Sequence, residues 1–400
     1  MAILSGFSIG RAPKPPSLVS LVGTSGPFSY ATNIADVPFQ VHKVDDTHFI
    51  RTVVGDSTFG HARAQIYAVD GSYAITEVHI VDINFYSYIR PSKEYASAYL
   101  STENLFTVAA GHKDSGGLED GILVNIYPVN TTAYTIDISS PTTDTVTLGT
   151  SSTSSSSVRA IALDANRVAV VFQVQSEGYV KVYNIDSGGN ITNSSAVLNY
   201  ASGVDYIASV TQIDANHFAI VDNVGIRTFN TNPASTHAVT LLDTLSPAGH
   251  YSERTAAASI LLDPNTQNHL IVSQKSSSST DSQLYMYPFD VSYNLSSAVY
   301  SNTNFKSVYR VSDMFDVGTS KFAMSGDFET ANRDAWMSIW NLEGNPVSAS
   351  IQSEETLYDV STEAVSDRWV GHVYGLMIDS THAIFCYRVL HDWYFKVYEV

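Results

Sequence analysis

The sequence predicts an all-β chain: a seven-bladed β-propeller of four-stranded antiparallel blades, closed by an N-terminal strand. Three observations carry that prediction: a hairpin pattern that returns about every 56 residues, an alternating β-rich run after each copy, and the lack of a sustained helical period. The hairpin opens on a hydrophobic residue, often followed by Asp, then turn formers, a basic or polar residue and a β-rich run. Clear copies are Val44-Asp45-Asp46-Thr47-His48-Phe49-Ile50, Leu163-Asp164-Ala165-Asn166-Arg167-Val168-Ala169, Ile213-Asp214-Ala215-Asn216-His217-Phe218-Ala219 and Ile378-Asp379-Ser380-Thr381-His382-Ala383-Ile384. Weaker copies start at Leu100, Leu262 and Val317, which makes seven units and nearly fills the chain. Such units bury their faces only by stacking, and stacking around an axis leaves short, protected edges.

Residues 1–16 are expected to form an arm outside the ring, because Arg11-Ala12-Pro13-Lys14-Pro15-Pro16 is held extended by its prolines. Residues 17–400 then make one propeller domain. Ser17-Leu18-Val19-Ser20-Leu21-Val22 reads as a strand, Gly23 as its end, and the first inner strand lies near Phe39-Gln40-Val41-His42. In each unit a polar loop of variable length follows the hairpin and leads to a third strand with period two. These strands are Ala64 to Val69, Ile122 to Tyr127, Tyr179 to Asn184, Gly225 to Phe229, Leu284 to Phe289, Met337 to Asn341 and Tyr394 to Glu399. Turns such as Asp186-Ser187-Gly188-Gly189-Asn190 lead to a weaker fourth strand, such as Ile191 to Leu198. The seventh unit ends in its third strand at Val400. The N-terminal strand is therefore expected to complete that blade, with Leu18 to Val22 beside Phe395 to Val400.

Composition narrows the function classes. The net charge is -18, and charged residues are 15% of the chain, against roughly 25% in average soluble proteins. Binding to a phosphate backbone needs clustered Lys and Arg, so neither nucleic acid nor an anionic membrane surface is an expected partner, and with no run of about 18 apolar residues no membrane insertion is expected. A hydrophobic fraction of 44%, with 24 Tyr and 17 Phe, suffices for a large core. The one cysteine, Cys386, lies in the apolar run Ala383-Ile384-Phe385-Cys386-Tyr387 and reads as a small buried residue, so neither an internal disulfide nor a cysteine metal site is expected. No basic n-region with an apolar h-region opens the chain and no run of about 18 apolar residues occurs, so the expected location is a virion, or otherwise the cytoplasm. Sequons at Asn130, Asn190, Asn193 and Asn294 read as by-products of a Ser/Thr/Asn-rich composition.

Charge that could do chemistry concentrates in the loops between second and third strands, which share one face with the connections between blades. A glycosidase pair could in principle come from Asp114, Glu119, Asp120, Asp327, Glu329, Asp334 and Asp392, but no spacing singles out two of them. Arg63, Arg333 and Arg388 could bind a carboxylate as in sialidases, but the Asp boxes of that family are missing. His48, His217, His269 and His382 occupy equivalent turns in different blades, too far apart around a ring to hold one metal. They read as structural turn residues. The serine tracts Ser151 to Ser157 and Ser276 to Ser279 are loop sequence, no EF-hand spacing occurs, and there is no phosphate-cradling loop. No metal and no cofactor are expected. The candidate contact residues are Phe59, His61 and Arg63 in the first blade, Arg333 and Trp336 in the sixth, and His391 and Trp393 in the seventh, as aromatic and Arg or His side chains in loops are the usual anchors of recognition. Trp336 and Trp393 could instead begin their strands and pack between blades.

The chain lacks the Trp-Asp strand ends, the sialidase boxes and the paired kelch glycines of other propellers. Its Leu-Asp-X-Thr-His-Phe type hairpins resemble those of virus- and phage-encoded propeller structural proteins, over about residues 40 to 400. The resemblance implies a non-enzymatic virion component, a phage capsid-decorating, tail or fibre protein. Its arm would dock on other virion proteins and its loop face would recognise a host. Two alternatives stand beside it: a propeller lectin whose Tyr faces stack on a neutral cell-surface glycan, and a polysaccharide hydrolase or lyase that uses loop carboxylates.

Overall fold

The computed structural model describes residues 19–29, 40–54, 61–84, 95–113, 119–152, 157–231, 238–246, 258–261, 269–275, 282–306, 310–318, 320–327, 334–343, 348–358, 370–389 and 392–400. Among them there is no helix, and the strands fall into seven antiparallel sheets. From the inner to the outer strand, blade one is Gln40–Asp45, His48–Val54, His61–Val69 and Ile75–Asn84. Blade two is Tyr95–Leu100, Leu105–Lys113, Glu119–Asn130 and Thr142–Ser152, with a short Thr135–Ile136 strand also paired to its third. Blade three is Val158–Ala162, Arg167–Val174 and Glu177–Ile185, edged by Ile191–Ser194 and Leu198–Ser202. Blade four is Ile207–Gln212, His217–Asp222, Ile226–Thr231 and Val239–Leu245, and blade five Ala258–Leu261, His269–Lys275, Ser282–Pro288 and Tyr300–Lys306. Blade six is Arg310–Gly318, Lys321–Asp327, Ala335–Glu343 and Ser348–Tyr358. Blade seven is Val370–Met377, His382–Val389 and Asp392–Glu399, completed by Ser20–Ser29.

The inner strands touch in cyclic order, the last against the first. The chain is a closed seven-bladed propeller.

The core lies in the seams. Seven clusters of buried apolar side chains each join two successive blades, the seventh joining blade seven to blade one. Period-two alternation explains this: from one strand, Ala383, Phe385, Tyr387 and Val389 face blade six, while Ile384 and Cys386 face blade one. Both faces of every blade are thereby buried, which is why the second strands read as near-continuous hydrophobic runs.

The closing strand pairs as the sequence predicts in partner and direction, with Ser20 opposite Glu399 and Leu21 opposite Tyr398. It runs on, however, past Gly23, which pairs with Val397, to Ser29 opposite Asp392, because two bulges, at Val22 and at Gly26-Pro27, take up the unpaired residues. The expected strand from Ile191 to Leu198 is instead two short pieces. Between them Ser195 turns inward, and its Oγ accepts the Val182 N–H at 2.9 Å in place of a ladder carbonyl. The arm at residues 1–16 lies outside the described residues.

Candidate functional site

Antiparallel order sorts the connections onto two faces. The hairpins and the turns after third strands share one face; the loops between second and third strands and those between blades share the other. On that second, loop-bearing face, Phe59, Arg333 and His391 lie outside the described residues. His61 opens the third strand of blade one opposite Asn84. Arg63 follows, partly exposed, with its Nε 2.5 Å and Nη2 3.0 Å from the two oxygens of Asp82 on the outer strand. Trp336 and Trp393 are 1% and 6% exposed, so neither presents a ring to solvent. Trp336 packs in the seam of blades five and six, and Trp393 in the seam of seven and one, where the buried Arg51 guanidinium lies 4.3 Å from its ring centroid. Arg51 also donates to Gln65, whose amide donates to Glu77, so the buried cation is tied to a surface carboxylate through one side chain.

Acid-base pairs exist, but in confined places. His112 Nδ1 lies 2.8 Å from Asp120, and Asp120 is buried. Asp114 and Glu329 lie outside the described residues. His42 Nε2 lies 2.7 Å from Ser97 Oγ across the seam of blades one and two, an arrangement that superficially matches a base and its nucleophile. Burial pushes the His42 pKa down to about 4, well below what a base at neutral pH needs, and Ser97 is itself buried and shared with Thr52 at 2.9 Å. The contact joins two blades. Cys386 is also buried, and burial pushes its thiol up to about 12 despite the opposing charge of Arg51. Among the described residues no three His, Cys, Asp or Glu side chains cluster to hold a metal ion.

The hairpin face reveals what the repeated Asp and His do. In blade four, Asp214 Oδ1 accepts the Asn216 N–H at 2.7 Å and the His217 N–H at 3.0 Å, which closes the hairpin, and His217 Nδ1 stands 2.9 Å away. The ring of Tyr293, from the turn after the third strand of blade five, stacks on His217 at 3.5 Å and donates its hydroxyl to Asp214 at 2.5 Å. Blades one and two repeat the arrangement: Tyr134 lies 3.4 Å over His48 and donates to Asp45 at 3.0 Å. At closure, Tyr73 of blade one sits 4.1 Å from the His382 ring, with its hydroxyl 3.0 Å from Nδ1, and Asp379 holds the same nitrogen at 2.9 Å. Each of these seams thus carries a clasp in which a turn tyrosine grips the preceding hairpin. Burial would raise Asp45, Asp214 and Asp379, but the hydrogen bonds from turn and imidazole, joined at Asp45 and Asp214 by the tyrosine, outweigh it and hold all three below the usual carboxylate range. The Asp214 bond, then burial, push the Tyr293 phenol up to about 12.

Where the hairpin lacks the pair, the partner changes too. Leu105 stands where blade two would carry His, and the turn of blade three then has Gly189 at φ +80° with Leu105 Cδ2 only 3.3 Å from where a Cβ would sit. Arg167 takes the histidine's place in blade three, and it donates to Thr231, Asn216 and the Ala215 carbonyl of blade four. The tyrosines were not singled out from sequence. The matching turns Asp70-Gly71-Ser72-Tyr73 and Asp290-Val291-Ser292-Tyr293 were the available signal. In three of the sequons, Asn130, Asn190 and Asn294 hydrogen-bond within these same turns, which accounts for their recurrence there.

No family model matches the chain, and no curated protein does. Among solved structures it is similar to the crystal structure of a protein of unknown function from Dyadobacter fermentans, with a TM-score of 0.53 at 9% identity, over 96% of this chain and 99% of that one. The likeness is one of fold alone.

Proposed function

We propose that this propeller is a non-enzymatic binding and assembly module of a virion, a phage capsid-decorating, tail or fibre component. The observation that carries the reading is the use of the repeated Asp and His side chains: they join blades, as in Asp45–His48–Tyr134 and Asp214–His217–Tyr293. Acid-base groups engaged in this way support a scaffold rather than a reaction centre. Recognition then falls to the loop-bearing face, through Phe59, His61, Arg63, Arg333 and His391, and docking on other virion proteins falls to the arm at residues 1–16. With a net charge of -18, a glycan ligand on a host cell would be neutral or bridged by cations, and DNA would be repelled. Mass spectrometry of purified particles tests the proposal, with the protein expected at stoichiometric abundance. Absence from particles, or release of reducing sugar from a polysaccharide panel that is lost on neutralising one loop carboxylate, would overturn it.

A further inference from the structure

The inner strands expose one edge to the axis, and their backbone donors there need acceptors. Two seams supply them in the same way. In blade one Gln40 pairs with Thr52, four residues after His48, and Gln40 Oε1 reaches across the seam to accept the Ser97 N–H at 2.5 Å. In blade six Asp313 pairs with Ser325, four residues after Lys321, and Asp313 Oδ2 accepts the Gly375 N–H of blade seven at 2.9 Å. The hydroxyls beside them also cross: Thr52 to Ser97 at 2.9 Å, and Ser325 to the Val373 carbonyl at 2.9 Å. The two sites are the same joint, built once with a neutral amide and once with an ionisable acid.

The acid sits tightly. Asp313 lies at a bulge, its Oδ1 accepts the Met314 N–H at 2.9 Å, and Phe315 fills the space above Gly375 so closely that a Cβ there would lie 2.4 Å from its ring. The strands packed on this one bring His269 and Lys275, Lys321 and Asp327, and His372, and the strand itself carries Arg310 and Asp316. Burial dominates and raises the Asp313 pKa to about 7, against the pull of the two backbone donors.

We infer that Asp313 makes the seam between blades six and seven proton-sensitive: the neutral carboxyl holds the inner strands together as Gln40 does, and the ionised carboxylate loosens them. The closed seam binds the proton more tightly than the open one, so opening is favoured as pH rises from about 4 to about 7 and levels off above. Amide hydrogen exchange at Gly375, corrected for its intrinsic pH dependence, tests this on the full chain. Opening should increase about tenfold between pH 6 and pH 8 in the native protein. Asp313→Gln, which copies blade one, should abolish that dependence. Gln40→Glu should create it at Ser97, a reciprocal arm that stands even if Asp313→Gln fails to fold. A native profile flat over that range, or the same slope retained in Asp313→Gln, overturns the inference, as does a flat Ser97 profile in folded Gln40→Glu.

Discussion

Tyr293→Phe isolates the hydroxyl of one clasp. The phenol donates to Asp214 at 2.5 Å while its ring lies 3.5 Å from the His217 centroid at an interplanar angle of 16°. A hydrogen bond to a charged acceptor contributes about 1.5 kcal/mol, and a stacked ring pair about 1 kcal/mol beyond its buried area. Tyr293→Phe should therefore cost about 1.5 kcal/mol, and Tyr293→Ala, which also removes the stack and apolar ring area, about 3 kcal/mol. Equilibrium urea unfolding, followed by tryptophan fluorescence and by far-UV circular dichroism, measures both. The decisive comparison is the double-mutant cycle with Asp214→Ala. That variant also loses the turn bonds to Asn216 and His217, so only the coupling reports the clasp. A coupling of about 1 kcal/mol is expected. Single and double changes that add within about 0.3 kcal/mol would refute the clasp as an energetic unit.

Four further outcomes follow from the same geometry. Asp45, Asp214 and Asp379 have lowered folded pKa values, so their contribution is complete above about pH 4 and is lost as pH falls through those values; the acid limb of an unfolding titration should flatten in the triple Asp→Asn variant. Cys386 should resist alkylation by iodoacetamide at pH 8 in the native protein, whereas rapid labelling seen by mass spectrometry would contradict its burial. Arg51→Ala should cost about 3 kcal/mol or more by emptying the seam between blades seven and one, and Arg51→Met clearly less, as measured by urea unfolding. Gly189→Tyr alone should destabilise by about 1–2 kcal/mol through contact with Leu105, while adding Thr102→Asp and Leu105→His, at the Asp-to-His spacing of the clasps, should recover part of that loss by building a new clasp.

The repeat was legible because its signal is local: the Asp cap, the turn and the alternating run lie within a dozen residues, and their period counts the blades. Closure was legible for the same reason, since an incomplete last unit and a spare first strand imply each other. The clasps were not, because Tyr73 and His382 are 309 residues apart and Tyr293 and Asp214 are 79, and nothing short-range links a turn tyrosine to an earlier hairpin. Tyr73 and Tyr293 also stand at positive φ, which a reading by residue preference assigns to Gly or Asn, as at Gly189. Trp336 and Trp393 illustrate a different limit. A large aromatic at a strand start suits a binding loop and a seam equally well, and only the neighbouring blade decides between them.

The clasps all point one way. The tyrosine of blade two grips blade one, that of blade five grips blade four, and that of blade one grips blade seven. During synthesis the ribosome releases the hairpin before the turn that grips it, so a blade two or a blade five emerging from the exit tunnel meets a finished partner and can lock at once. Blade one emerges with its grip empty and must wait for the last strands of the chain. The ring therefore has a seam in time as well as in space: the join between its first and last blades is the last to be locked, and until then both the Tyr73 turn and the closing strand Ser20–Ser29 lack their partners in blade seven.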